Sequence, residues 1–189
     1  MEKSDAELVV AYLEGNEEAL KILVERHLKS VYNLAYRFLQ TSHDAEDITQ
    51  EVFLKAWKNL KKYDRNKNLK TWLLHITKNT SIDFLRKKRL VPLSAFDNDD
   101  GENFVIENLK DPLPLQTELF EKSENQKMLA EAVLKLPPNY QAVIFLRYTE
   151  GLTFDEIGQI LEKPMDTVKS QHLRALNQLK KILDGDFQL

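Results

Sequence analysis

Three clusters of side chains in this sequence have the types and spacing to do chemistry, and it is the chemistry of recognition. The first lies within residues 68–89, NLKTWLLHITKNTSIDFLRKKR. Lys70, Lys78, Arg86, Lys87, Lys88 and Arg89 supply cations, Trp72 an aromatic surface, and Asn79, Thr80 and Ser81 a polar interruption. A single DNA strand needs charge along its backbone and a pocket for an unstacked base, and this combination offers both. Asn79 has two amide donors and an acceptor with which to bond the edge of an extruded base. The bland reading keeps Trp72 in a core and makes the RKKR run a solubilising helix end.

The second cluster is Thr167, Lys169, Ser170 and Arg174, on the N-terminal half of a predicted helix. Free backbone N–H groups and the positive end of the helix dipole favour phosphate there. Lys and Arg reach phosphates or guanine edges, and Ser bonds either. The third is Asp47, Gln50 and Glu51, three and four residues apart, which puts them on one helix face as an acidic, hydrogen-bonding patch for a basic partner helix. By charge alone such a patch is a solvated face.

Enzymatic readings find little footing. His27, His43, His75 and His172 are scattered without metal-ligand spacing, and the chain has no cysteine. His43 sits beside Asp44, Glu46 and Asp47, but consecutive residues of a helix diverge around its axis. There is no Gly-rich phosphate loop and no nucleophile elbow. The expectation is a binding protein without catalytic residues, metal or cofactor.

The elements that must position these clusters are predicted to be helices throughout. Ser4 with Glu7, and Thr153 with Glu156, have the spacing of capping boxes before apolar runs. Leu20, Leu23, Val24, His27, Leu28, Val31, Leu34, Ala35 and Phe38 recur at helical intervals. Thr41 and Ser42 interrupt before a third helix from about Asp44 to Leu60, and helical spacing resumes from Leu69 to Arg89 with a core stripe of Trp72, Leu73, Ile76, Ile82 and Leu85. Pro137 and Pro138 start another helix. A short helix with Ile157, Ile160 and Leu161 inward then turns at residues 162–165 into a longer one from about Asp166 to Leu183. Its stripe is Val168, Ala175, Leu176, Leu179, Ile182 and Leu183, and the pair has helix-turn-helix anatomy.

Charge divides the chain as the helices do. Residues 1–90 hold 17 Lys and Arg against 13 Asp and Glu, residues 91–125 hold 2 against 9, and residues 126–189 hold 8 of each. The overall charge of −3 therefore hides a basic N-terminal part behind an acidic middle. Pro92, Pro112, Pro114 and the run DNDDGEN argue against a long helix or a core there. The expected architecture is all-α: a helical domain at 1–90, an acidic flexible linker at 91–121, and a second helical domain with a helix-turn-helix at 122–189. No stretch is apolar enough for a signal peptide or a membrane span, so a soluble, cytoplasmic protein is expected.

The segments DAEDITQEVFLKAW, LKTWLLHITKNTSIDFLRKKR, LPPNYQAVIFLRYTEGLTFDEIGQIL and TVKSQHLRAL, in this order, resemble those of extracytoplasmic-function (ECF) sigma factors. The resemblance implies a sigma region 2 that binds the core RNA polymerase clamp and melts the −10 element, and a region 4 that binds the −35 element. By position it places Asp47, Gln50 and Glu51 on the clamp-binding helix. It places Asn79 in a loop lining the pocket for a flipped −10 base, residues 86–89 at the basic end of that module, and Lys169, Ser170 and Arg174 on the −35 recognition helix. The acidic linker corresponds to the segment that threads toward the polymerase active centre. Core RNA polymerase and promoter DNA are the implied partners, with an anti-sigma factor that covers both DNA-binding domains.

The sequence departs from that pattern on the recognition helix. Asp166 stands where the family often has Gly, Gln171 and Leu176 where it often has Arg, and His172 at a usually apolar position. A less cationic helix implies −35 affinity that leans on polymerase tethering. Two rival readings are a free-standing dimeric helix-turn-helix regulator and a helical adaptor without DNA contact. The first leaves the 68–89 segment and the acidic helix without purpose.

Overall fold

In a computed structural model, residues 3–64, 67–89 and 124–186 are described. The N-terminal unit begins with α1 (Asp5–Leu13), where Ser4 and Glu7 form the expected capping box. Helix α2 (Glu17–Leu39) starts at the Asn16 side chain, which accepts from the Glu18 and Ala19 amides, and ends on Gln40 in the left-handed region. Helix α3 (Ser42–Asn59) begins two residues earlier than expected. Thr41 is its N-cap and accepts from the Asp44 amide, so the apparent interruption is the cap. After a short 3-10 turn (Leu60–Lys62), α4 runs Leu69–Arg89, as the spacing predicts.

Helices α2, α3 and α4 enclose the first core. Leu23, Val31, Leu34 and Ala35 meet Ala45, Ile48, Val52 and Ala56, with Leu69, Leu73, Leu74 and Leu85 closing it. A partly buried ion pair fastens α1 to α2. Asp5 accepts from Arg26 at 2.6 Å and meets Nε2 of the buried His27 at 2.8 Å. The hydrogen bond with His27, helped by Arg26, outweighs burial and holds the Asp5 carboxyl below its ordinary range.

Helix α4 corrects two expectations. It runs unbroken through Asn79, Thr80 and Ser81, so Asn79 lies on a helix rather than in a loop. Thr77, Thr80 and Ser81 occupy fully buried positions, while Trp72, Ile76 and Ile82 are only half-buried. Thr77 donates back to the Leu73 carbonyl within the helix at 2.8 Å, Thr80 accepts from Lys55 of α3 at 3.2 Å, and the buried Ser81 hydroxyl has no hydrogen-bond partner among the described residues. In α2, Leu28 is exposed despite its apolar spacing.

The C-terminal unit consists of α5 (Glu124–Leu134), α6 (Pro138–Ile144), a π-helical turn (Phe145–Thr149), α7 (Phe154–Leu161) and α8 (Met165–Asp186). Pro138 is the first residue of α6, where a missing N–H costs nothing. The buried Gln141 donates to the Leu134 and Leu136 carbonyls and so seals the end of α5. Thr153 and Glu156 form the second capping box. Between α7 and α8, Glu162 takes a left-handed conformation and the Lys163 amide bonds the Gly158 carbonyl at 2.9 Å. A Cβ on Gly158 would stand 2.7 Å from the Lys163 carbonyl oxygen, so this tight turn requires glycine. Helix α8 packs Val168, Ala175 and Leu179 inward, as its spacing predicts.

The architecture is all-α, with α4 packed on α7 and α2 on α6. Among the described residues no helix is long and apolar enough to cross a membrane. The expected acidic linker, 91–121, lies outside the described residues.

Candidate nucleic-acid and polymerase interface

Asp47, Gln50 and Glu51 share the exposed face of α3, opposite the buried Ala45, Ile48, Thr49 and Val52. Asp47 pairs with His43 at 3.2 Å and Glu51 with Lys55 at 2.7 Å, each one turn away on the same helix. Exposed pairs of this kind hold the side chains only weakly. The face is thus acidic, wet and available to a partner.

On α8, Lys169, Ser170 and Arg174 are exposed and Thr167 is half-exposed, all within the N-terminal half. Lys169 has a loose contact with Asp166 at 3.6 Å. The other departures from the family pattern do not lie on this face. Gln171, which stands where a cation is usual, is only 1% exposed and occupies the core-facing stripe between Val168 and Ala175. His172 is half-buried between aromatic rings: Phe154 lies 5.2 Å away edge-on and Tyr148 5.7 Å away, with the tyrosine hydroxyl 3.0 Å from Nε2. Burial, and then the charge of Arg147, lowers the pKa of His172 below 6.5. Leu176 joins the apolar cluster of Ala132, Leu136, Tyr140 and Leu179. Of these four positions only Asp166 is both charged and exposed.

The residues predicted on α4 fall into two groups. At its C-terminal end Arg86, Lys87 and Lys88 are exposed. Arg86 lies 3.5 Å from Asp83, and Lys88 is tied to Asp44. The side chain of Arg89 is outside the described residues. Toward the N-terminal end, Trp72 packs on Tyr63 with ring centroids 5.0 Å apart. Lys70, Lys78 and Asn79 face the C-terminal unit instead of solvent. Lys70 forms an ion pair with the buried Glu150 carboxylate, and Lys78 with Glu162 at 2.7 Å.

Glu162 gathers the middle of α4. Its Oε1 accepts from His75 Nε2 at 2.8 Å and from the Asn79 amide at 3.3 Å, and its Oε2 accepts from Lys78. A His75 proton committed to Glu162 leaves Nε2 unable to accept from Asn79, so the amide 3.2 Å away turns to the carboxylate. The Lys78 hydrogen bond, followed by that of His75, pulls the Glu162 pKa down to about 2. Lys78 also donates to Asn79 Oδ1 at 3.0 Å. Glu150, Glu162, His75 and Gly158 were not singled out in the sequence. Only Gly158 carried a local signal, as a lone glycine within a helical run next to a turn. Among the described residues no group of three or more potential ligands is placed to hold a metal ion.

One helical unit thus sets an acidic helix face beside a basic, amide-bearing helix, and the other carries a helix-turn-helix. Residues 23–91 match the family model for Sigma-70 region 2, and residues 126–179 that for Sigma-70, region 4. The ECF RNA polymerase sigma factor SigW of Bacillus subtilis (strain 168) is 34% identical over 173 residues, covering 89% of this chain and 91% of the relative. The ECF RNA polymerase sigma-E factor of Escherichia coli (strain K12) is 30% identical over 173 residues, covering 91% of this chain and 90% of the relative. The chain belongs to the ECF RNA polymerase sigma factor family. Among solved structures, CnrH in complex with the cytosolic domain of CnrY shares the fold, with a TM-score of 0.66, 23% identity and coverage of 97% of this chain and 99% of that one.

Proposed function

We propose that this sigma factor binds core polymerase through the exposed α3 face and reads promoter DNA through α4 and α8. Asp47, Gln50 and Glu51 meet the polymerase. Lys70, Trp72, Lys78, Asn79 and residues 86–89 hold and melt the −10 element. Thr167, Lys169, Ser170 and Arg174 read the −35 element. The division of labour follows units at 1–90 and 122–189 joined through 91–121. The observation that carries the reading is that one chain presents an acidic, wet face on α3 and a basic, hydroxyl-bearing face on the second helix of a helix-turn-helix.

Asn79 is the residue with the chemistry to select a base, because its amide can both donate to and accept from an extruded edge. The exposed cations at the end of α4 suit the adjoining backbone. A cytoplasmic location and a regulatory anti-sigma partner fit this role. Run-off transcription with purified core polymerase tests it. Promoter-dependent transcripts are expected only with the factor present, and Asn79→Ala should impair permanganate-detected melting while leaving polymerase binding intact. Absence of transcripts across a promoter library would refute the reading.

A further inference from the structure

We propose that Glu150 and Glu162 form an internal latch that closes the C-terminal unit over the −10-reading face of α4, so that the free factor occludes its own DNA site. The inference rests on the assignment of Lys70, Lys78 and Asn79 to DNA. Both glutamates reach groups that a DNA strand would need. Glu162, at the tip of the helix-turn-helix, takes hydrogen bonds from His75, Lys78 and Asn79. Lys78 spends a further donor on Asn79 Oδ1, so the amide's acceptor and one of its donors are engaged together. The Glu162 carboxylate thus stands in for the anionic backbone of a nucleic acid.

Glu150 makes a second contact nearer the start of α4. Its side chain is 6% exposed, pairs with Lys70 and accepts from Ser30 at 3.0 Å. Arg37 adds a third contact between the units, with its guanidinium 4.0 Å from the centre of the Phe145 ring. DNA and the C-terminal unit therefore compete for the same cations, and the closed form must open before α4 can bind a strand.

The contact is built to be reversible. Between the units lies a solvent-open pocket of about 480 Å³ lined by Phe38, Lys78 and Ile82 on one side and Leu161, Glu162 and Gln171 on the other. Neither polar atom of the Gln171 amide has a hydrogen-bond partner there. A buried amide without a hydrogen-bond partner weakens the closed state. The Glu162 side chain is half-exposed, so salt screens its share of the latch.

The test uses the full chain, whose lack of cysteine allows selective labelling. Donor and acceptor dyes on cysteines replacing the exposed Lys61 and Lys180 report the distance between the units by single-molecule energy transfer. A compact population is expected at low salt. Glu162→Gln should raise the open-to-closed ratio roughly threefold to tenfold, and added salt should do the same to the wild type. An unchanged ratio in both experiments would overturn the latch whatever the factor does with polymerase. In a second arm His75→Cys/Glu162→Cys is joined by a reducible bis-maleimide and assayed for transcription with core polymerase. Silence when joined and recovery on reduction are expected, and equal activity in the two states would overturn the proposal. An unmodified wild type that supports no transcription would instead refute the sigma assignment, and the energy-transfer ratio would still decide whether the units are latched.

Discussion

Lys88 Nζ lies 2.8 Å from Asp44 Oδ2, tying the basic end of α4 to the first turn of α3. Burial opposes ionisation of Asp44, yet hydrogen bonds from Lys88 and Thr41 prevail and hold its pKa below 3.8. The pair adds a surface tie between the helix proposed to meet polymerase and the helix proposed to meet DNA. Lys87, one residue earlier, is exposed and takes no part in it.

These neighbouring lysines should therefore respond differently to truncation. Lys88→Ala should lower the melting temperature modestly, since a half-exposed pair is worth about 1 kcal/mol or less. Lys87→Ala should leave melting unchanged and reduce the salt slope of DNA binding by about one phosphate contact. Thermal denaturation and salt titration of promoter binding, run on both variants, check the split.

Helix α8 is proposed to read the −35 element. Lys169→Ala and Arg174→Ala should each reduce transcription from a promoter with an intact −35 element. A lost base contact costs about 1–3 kcal/mol, whereas a lost phosphate contact weakens all sequences alike. Comparing intact with scrambled −35 elements separates the two. Gln171→Ala should not mimic either, because that side chain points inward.

His172 should make the stability of the C-terminal unit depend on pH. Its folded pKa lies below 6.5, so the unfolded chain takes up the proton first as the pH falls. Stability is fully present above that value and declines as the pH drops through 6.5 toward the folded pKa. His172→Phe should remove this component, seen as a smaller loss of melting temperature between neutral and mildly acidic pH.

The turn of the helix-turn-helix should fail on a single methyl. Gly158→Ala places carbon against the Lys163 carbonyl, and overpacking against backbone costs roughly 1–3 kcal/mol. A fall in denaturant midpoint with loss of −35-dependent transcription is expected, whereas Gln159→Ala on the exposed side of α7 should do neither.

The helices and their caps were legible because they depend on local chemistry. Ser4 with Glu7 and Thr153 with Glu156 are reciprocal bonds three residues apart, and nothing distant alters them. The interior of α4 departs from its expected form because Thr80 and Ser81 look like a break only when polarity is taken to mean exposure. Gln171 was lost from the α8 stripe for the same reason, although its spacing from Val168 and Ala175 carried the signal. The contacts of Glu150 and Glu162 could not be found in this way. They arise from the docking of two units far apart in sequence, and no local pattern encodes it.

The α3 face is proposed to serve core polymerase. Asp47 and Glu51 are four residues apart and both exposed, so reversing them should change stability by about half a kcal/mol or less. Against a basic partner helix the same reversal sets like charges together and costs several kcal/mol. The measurement is the affinity of purified core polymerase for wild type and for Asp47→Lys/Glu51→Lys, with melting curves recorded alongside. Tight binding that weakens with salt is expected for the wild type, and loss of binding with normal melting for the variant. Equal affinity for the two proteins would contradict it.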